Sequence, residues 1–93
     1  MLEKKIEKKL KEEVEKIGGL CVKLVSQNQN GIPDRLVILP DGRVYFIELK
    51  KTNGVLSKVQ KYQQTRLRKL NQKVKTIWTL EEVEEFISEV QST

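Results

Sequence analysis

Apolar residues recur along the chain in two rhythms. Leu2, Ile6, Leu10, Val14 and Ile17 stand three or four positions apart with Lys and Glu between them, which predicts an amphipathic helix of about four turns. Gly18-Gly19 predicts its end, because glycine takes the left-handed position after a last helical turn at no steric cost. From Leu20 to Val25 the rhythm changes to alternation, the mark of a short strand. The next six residues, SQNQNG, have no period and read as a polar loop. It leads straight into Pro33-Asp34, so substrate contact is expected of it. Two further strands, roughly Arg35–Leu39 and Val44–Lys50, flank Pro40-Asp41-Gly42. Proline suits the first central position of a type I turn, and Gly42 supplies the left-handed residue of a three-residue hairpin loop.

Thr52-Asn53-Gly54 breaks the pattern again. Ser57-Lys58-Val59-Gln60 and Thr79-Leu80-Glu81-Glu82 are capping boxes, each with a hydroxyl at the cap and Gln or Glu three residues later. The helix opened by Ser57 runs to about Leu70. Its apolar positions are Val59, Tyr62, Leu67 and Leu70, with Lys58, Lys61, Arg66, Arg68 and Lys69 around them, and Asn71 is its expected C-cap. Lys73–Trp78 reads as a fourth strand, and Val83, Phe86, Ile87 and Val90 give the last helix an apolar face. The order is therefore αβββαβα. A strand–helix–strand crossover makes the last two strands parallel, and short connections make the first three antiparallel. The fold class is α/β of the mixed α+β kind: a four-stranded mixed sheet flanked by helices, in a single domain over residues 1–93. Cys21 is expected as a small core residue, and Tyr62 and Trp78 as core or interface residues.

The hairpin fixes a register with chemical consequences. If Leu39 faces Arg43, counting back along both strands sets Asp34 opposite Glu48. Directly opposed side chains lie about 5 Å apart at Cβ, where like charges repel. Such a pair needs a counter-charge. A divalent cation is one candidate, and Lys50, two residues beyond Glu48 on the same face, is another. Hard cations such as Mg²⁺ take one or two carboxylates, carbonyl oxygens and water. Asp34, Glu48 and the Leu49 carbonyl are the expected metal donors. A metal so held lowers the pKa of its water, and Lys50 is placed to orient that water or to stabilise charge on an attacked phosphate.

Composition narrows the partners. The chain carries 18 basic and 13 acidic residues, a formal net charge of +5, with one cysteine and no histidine. The charge suits an anionic partner such as nucleic acid. The missing histidine excludes a His-based triad, and one cysteine excludes an intrachain disulfide and a Cys/His zinc site within one chain. No apolar run reaches the length of a membrane span. The N-terminus, MLEKKIEKKLKEE, has no apolar leader segment, so a cytoplasmic location is expected.

With these residues in view, the chain resembles the PD-(D/E)xK nuclease superfamily, and within it the viral-type replication-repair nuclease domain, VRR-NUC. The residues that carry the likeness are Gly18-Gly19-Leu20-Cys21-Val22-Lys23, Gly31-Ile32-Pro33-Asp34-Arg35, Gly42-Arg43-Val44, Glu48-Leu49-Lys50, and Leu56-Ser57 with Gln60. It spans nearly the whole chain, from about Ile6 to Val90.

The resemblance implies a restriction-endonuclease-like core and a Mg²⁺- or Mn²⁺-dependent DNA endonuclease. Asp34 and Glu48 match the family's metal-binding acids, Lys50 its catalytic lysine, and Gln60 the glutamine that faces the site from the following helix. A first-helix glutamate also reaches the metal site in this family. Glu7 is the choice here, with Glu3 its rival. Stand-alone members are similar to Holliday-junction resolvases and act as homodimers, which implies branched DNA as substrate and a phage or prophage source. DNA contacts are expected from Lys23, Asn30, Arg35, Lys51, Lys58 and Lys61. The rivals are a flap or nicking nuclease that needs a partner protein, and a catalytically idle DNA-binding module. For Asp34, Glu48 and Lys50 the bland alternative is a surface salt bridge with no metal. For Gln60 it is the capping box alone.

Overall fold

A computed structural model of the chain describes residues 2–25 and 27–93. The elements are α1 (Glu3–Lys16), β1 (Leu20–Lys23), β2 (Arg35–Ile38), β3 (Val44–Leu49), α2 (Lys58–Lys69), β4 (Lys73–Ile77) and α3 (Leu80–Gln91). This is the order expected from the two apolar rhythms. The strands form one sheet in the order β1-β2-β3-β4. The pairs β1–β2 and β2–β3 are antiparallel, and β3–β4, joined by the α2 crossover, is parallel.

The hairpin sets the register. The Leu39 N–H donates to the Arg43 carbonyl and the Gly42 N–H to the Leu39 carbonyl, both at 2.9 Å. Gly42 sits at φ +92°, a value that other residues adopt only with strain. Arg35 consequently pairs with Ile47, and one residue earlier Asp34 stands across from Glu48. Two helix ends close in the same way. The Gly18 and Gly19 N–H groups cap α1 through the carbonyls of Glu15 and Val14. Asn71, at φ +63°, and Gln72 do the same for α2 through Arg68 and Leu67. Asn71 is thus the left-handed residue just past the C-cap, Leu70.

Alternation along the strands gives the sheet two faces. On one, Val37, Tyr45, Ile47, Leu49 and Ile77 meet Ile6, Leu10 and Val14 of α1 and Val83, Phe86, Ile87 and Val90 of α3 in a single apolar core. Tyr45 and Phe86 meet edge-on with ring centres 5.0 Å apart. Cys21 packs against this cluster from its rim, and burial pushes its thiol pKa up.

The other face is covered only in part, by α2 packed on β4, and here the structure departs from the sequence pattern. The buried residues of α2 are Gln63 and Gln64. Three of its four apolar positions point away: Val59 is 47% exposed, Tyr62 63% and Leu70 62%, and only Leu67 is half-buried. No α2 side chain belongs to the described apolar core. The reason lies in what faces the helix. Glu48 and Thr76, neighbours in register, present polar atoms to it, and glutamines satisfy those atoms where valine and tyrosine leave them bare. Trp78 is half-buried and donates its indole N–H to the Gly54 carbonyl at 2.7 Å, pinning the turn between β3 and α2.

Candidate active site

The carboxylates converge at the end of the sheet where β2 begins and β3 finishes. Asp34 is held on several sides. Its carbonyl accepts from the Leu24 N–H at 2.8 Å, its Oδ1 accepts from the Leu49 N–H at 3.2 Å, and its Oδ2 lies 3.1 Å from the Arg35 guanidinium. Glu48 is only 5% exposed. Its carboxyl pKa is pushed up from 4.5 to about 7. Burial is the largest cause, and the charge of Asp34 adds to it. Lys50 opposes the rise, Glu3 adds to it and Arg35 lowers it. The two acids thus interact as the register requires, and each is tied to a different scaffold.

Gln60 does two jobs that the sequence sets in competition. Its backbone N–H donates to Ser57 Oγ at 3.1 Å, and its Oε1 accepts from the Ser57 N–H at 2.9 Å, completing the capping box. Its Nε2 lies 3.4 Å from Glu48 Oε2. A backbone N–H can only donate, so the cap requires Oε1 and leaves the NH₂ group free to face the carboxylate. The cap orients the side chain for the site.

Arg35 is expected on the sequence pattern as a DNA contact, but the structure turns it inward. It is 6% exposed. Its guanidinium pairs with Glu7, with the Asp34 carboxylate and, at 2.9 Å, with the Asp34 carbonyl. Committed to these three acceptors, it has no open face for a phosphate and serves instead as a buried counter-charge among acids. Glu7 therefore joins the site through Arg35, whereas the charge of Glu3 is felt at Glu48. Lys50 is half-buried beside Glu48, and Lys23, Asn30, Lys51, Lys58 and Lys61 are exposed. Of the polar loop, Ser26 lies outside the described residues. Gln29 and Asn30 contact α2 through Gln63, which the sequence reading overlooks. A signal for it exists: Gln60, Gln63 and Gln64 fall on one helical face.

The donor chemistry suits a hard divalent cation. Two carboxylates and a main-chain carbonyl, that of Leu49, leave room for the several waters that Mg²⁺ retains. Among the described residues, no three Asp, Glu, His or Cys side chains gather into a ready-made cage. Glu48, buried and only weakly compensated, is the group that such a cation would most relieve.

No family model matches the chain. Over 48 residues, 52% of the chain, it is 54% identical to "Putative nuclease p44" of Acyrthosiphon pisum secondary endosymbiont phage 1, and the match spans 52% of that protein. The chain thus spans about half the length of the curated relative it matches. A solved structure described as a VRR_NUC domain is 34% identical, covers 92% of this chain and 94% of its own, and superposes with a TM-score of 0.87.

Proposed function

The chain belongs to the VRR_NUC domain family, and from that we propose that it is a metal-dependent DNA endonuclease, selective for branched DNA and active as a homodimer. The observation that carries this reading is the opposed pair Asp34–Glu48, with Glu48 held near pKa 7 in a buried setting. A purely structural ion pair has no reason to bury a carboxyl against a second one.

Asp34, Glu48 and the Leu49 carbonyl would hold Mg²⁺ or Mn²⁺. When bound there, the cation supplies Lewis-acid charge at the phosphate and a water acidic enough to ionise near neutral pH. The remaining work falls to the chain. Gln60 steers the Glu48 carboxylate from α2. Arg35 fixes Asp34 and ties Glu7 to it. Lys50 orients the attacking water and stabilises charge on the phosphate as the water oxygen bonds to phosphorus and the leaving oxygen departs. Lys23, Asn30, Lys51, Lys58 and Lys61 meet the backbone, together with other basic residues of α2, which has no acid among its 12 residues.

Two surfaces support the homodimer. The outward stripe of α2 presents Val59, Tyr62 and Leu70, with Val55 just before it 80% exposed. On the α2 side of the sheet, Val22, Leu36, Ile38, Val44 and Phe46 are half-buried. A helix face and a sheet face left apolar in this way suit an isologous contact with a second copy. A phage-borne relative supports a phage or prophage source and action in the host cytoplasm. The described helices include none long and apolar enough to cross a membrane.

The test is cleavage of a labelled four-way junction beside linear duplex and flap controls, with sedimentation of the same samples. Paired, metal-dependent cuts on the junction by a species of twice the chain mass are expected. Cuts confined to flaps, or a monomer, would overturn the branched-DNA or homodimer part. Tight binding without cleavage of any substrate would overturn the nuclease.

A further inference from the structure

We infer that Gln63 is a positioning residue that sets the approach to Asp34 from α2; the inference rests on the nuclease reading. Gln63 is 5% exposed. Its Nε2 donates to the Asn30 carbonyl at 3.0 Å and lies 3.4 Å from Gln29 Oε1. Its own Oε1 is buried without a hydrogen-bond partner among the described residues. A buried amide with one end unsatisfied is held for what the other end does, and that end grips the loop. Two more contacts seat the loop on α2. Arg66 Nη1 donates to Gln29 Oε1 at 3.0 Å. Gly31, at φ +82°, lies so close to Val59 that a Cβ there would come within 2.6 Å of Val59 Cγ1 and 2.9 Å of its backbone.

The loop then has little freedom before the carboxylate. Only Ile32 and Pro33 separate Gly31 from Asp34, and Pro33 is fully buried. From the other direction, Asp34 is fastened to the end of β1 by the Leu24 N–H. Gln60 and Gln63 stand three apart on one helical face. One face of α2 thus governs both acids, Glu48 directly through Gln60 and Asp34 through the loop that Gln63 holds. Gln64 provides the internal comparison. It is as buried, at 4%, but its amide donates to Thr76 Oγ1 at 2.8 Å on the sheet and does not serve the loop.

The experiment compares Gln63→Met with Gln64→Met, reading kcat and KM on the preferred DNA, DNA affinity in EDTA, and melting temperature. Gln63→Met is expected to lower kcat at least tenfold, with EDTA affinity within twofold of wild type and an unchanged or higher melting temperature. Gln64→Met should leave kcat within twofold. Equal kcat in Gln63→Met and wild type would overturn the inference. So would a rise in KM with kcat unchanged, which would make the loop a DNA contact, or equal losses in both variants, which would make the face merely structural. If Gln63→Met does not fold, Gly31→Ala carries the test, since its Cβ lifts the same loop off Val59. It should lower kcat at least tenfold with EDTA affinity retained, and wild-type kcat would overturn the inference. Absence of cleavage by the wild type would instead strike the nuclease reading.

Discussion

The two faces of the sheet are built on opposite principles. The face under α1 and α3 is apolar and closed, with Ile6, Leu10, Val14, Val37, Ile47, Leu49 and Val83 at 0% exposure. The face under α2 is polar at its centre: Glu48, Thr76, Gln60, Gln63 and Gln64 meet through hydrogen bonds between side chains and to the loop. Burial of apolar area holds the first face together, at about 25 cal/mol per Å². The second is held by contacts worth only about 1 kcal/mol each, yet it contains the opposed carboxylates of the candidate site, which Arg35 and Glu7 brace from the other side. One face supplies rigidity, and the other accepts an unfavourable charge arrangement because the first can carry its cost.

The sharpest way to break this comparison is to change Glu48. Glu48→Gln removes a proposed metal donor, so cleavage should fall by about a thousandfold, the several kcal/mol that a bound metal contributes to the transition state. The same change should raise the melting temperature above neutral pH, because it removes a buried charge. A loss of both activity and stability would make Glu48 an ordinary structural acid.

On the apolar face the expectation reverses. Leu10→Ala should cost about 2–5 kcal/mol in urea unfolding, from lost transfer energy and the cavity left behind. Gln64→Met on the polar face should cost only about 1 kcal/mol. Similar costs at the two sites would erase the distinction between the faces.

The pH dependence follows from Glu48. Its folded pKa, about 7, lies above its ordinary 4.5, so the fold prefers the protonated acid. Below about pH 4.5 Glu48 is protonated in both folded and unfolded chains and carries no penalty. As pH rises from there to about 7 the unfolded chain ionises more readily, and stability falls by an amount on the order of 3 kcal/mol before levelling off. Chemical unfolding of metal-free protein across that window should show the decline, and Glu48→Gln should flatten it. A wild-type curve that rises through the same window would contradict the burial argument.

The smallest effect belongs to the cap. Ser57→Ala should destabilise by about 1 kcal/mol. Because the cap also orients Gln60, it should lower cleavage by more than that loss of stability accounts for. Equal effects in both assays would show that cap and site act independently.

The closed face was legible in the sequence because its physics is periodic. The spacing of Ile6, Leu10 and Val14 and of Val83, Phe86, Ile87 and Val90 names the buried sides of α1 and α3, and Pro40-Asp41-Gly42 fixes the register that opposes Asp34 and Glu48. The polar face was legible only in part. Val59, Tyr62, Leu67 and Leu70 read as the apolar positions of α2, yet only Leu67 turns inward, and the sequence alone does not say that Glu48 and Thr76 lie beneath the helix and draw glutamines inward. Arg35 looks like any basic residue beside an acidic motif until Glu7, 28 positions earlier, is seen to meet it. Gln60 reads as either cap or site residue, since only three dimensions show one amide serving both through its two ends.

The most direct test of a metal-dependent nuclease site on the polar face is Mn²⁺-dependent cleavage by protein first stripped with EDTA, comparing wild type with Asp34→Ala. The wild type should show no cuts without metal and saturable cleavage as Mn²⁺ is returned. The variant should bind the same DNA at least as tightly, because one negative charge facing the phosphate is gone, and should leave it intact at every Mn²⁺ concentration. Cleavage by Asp34→Ala at the wild-type rate, or wild-type cleavage indifferent to Mn²⁺, would contradict the account.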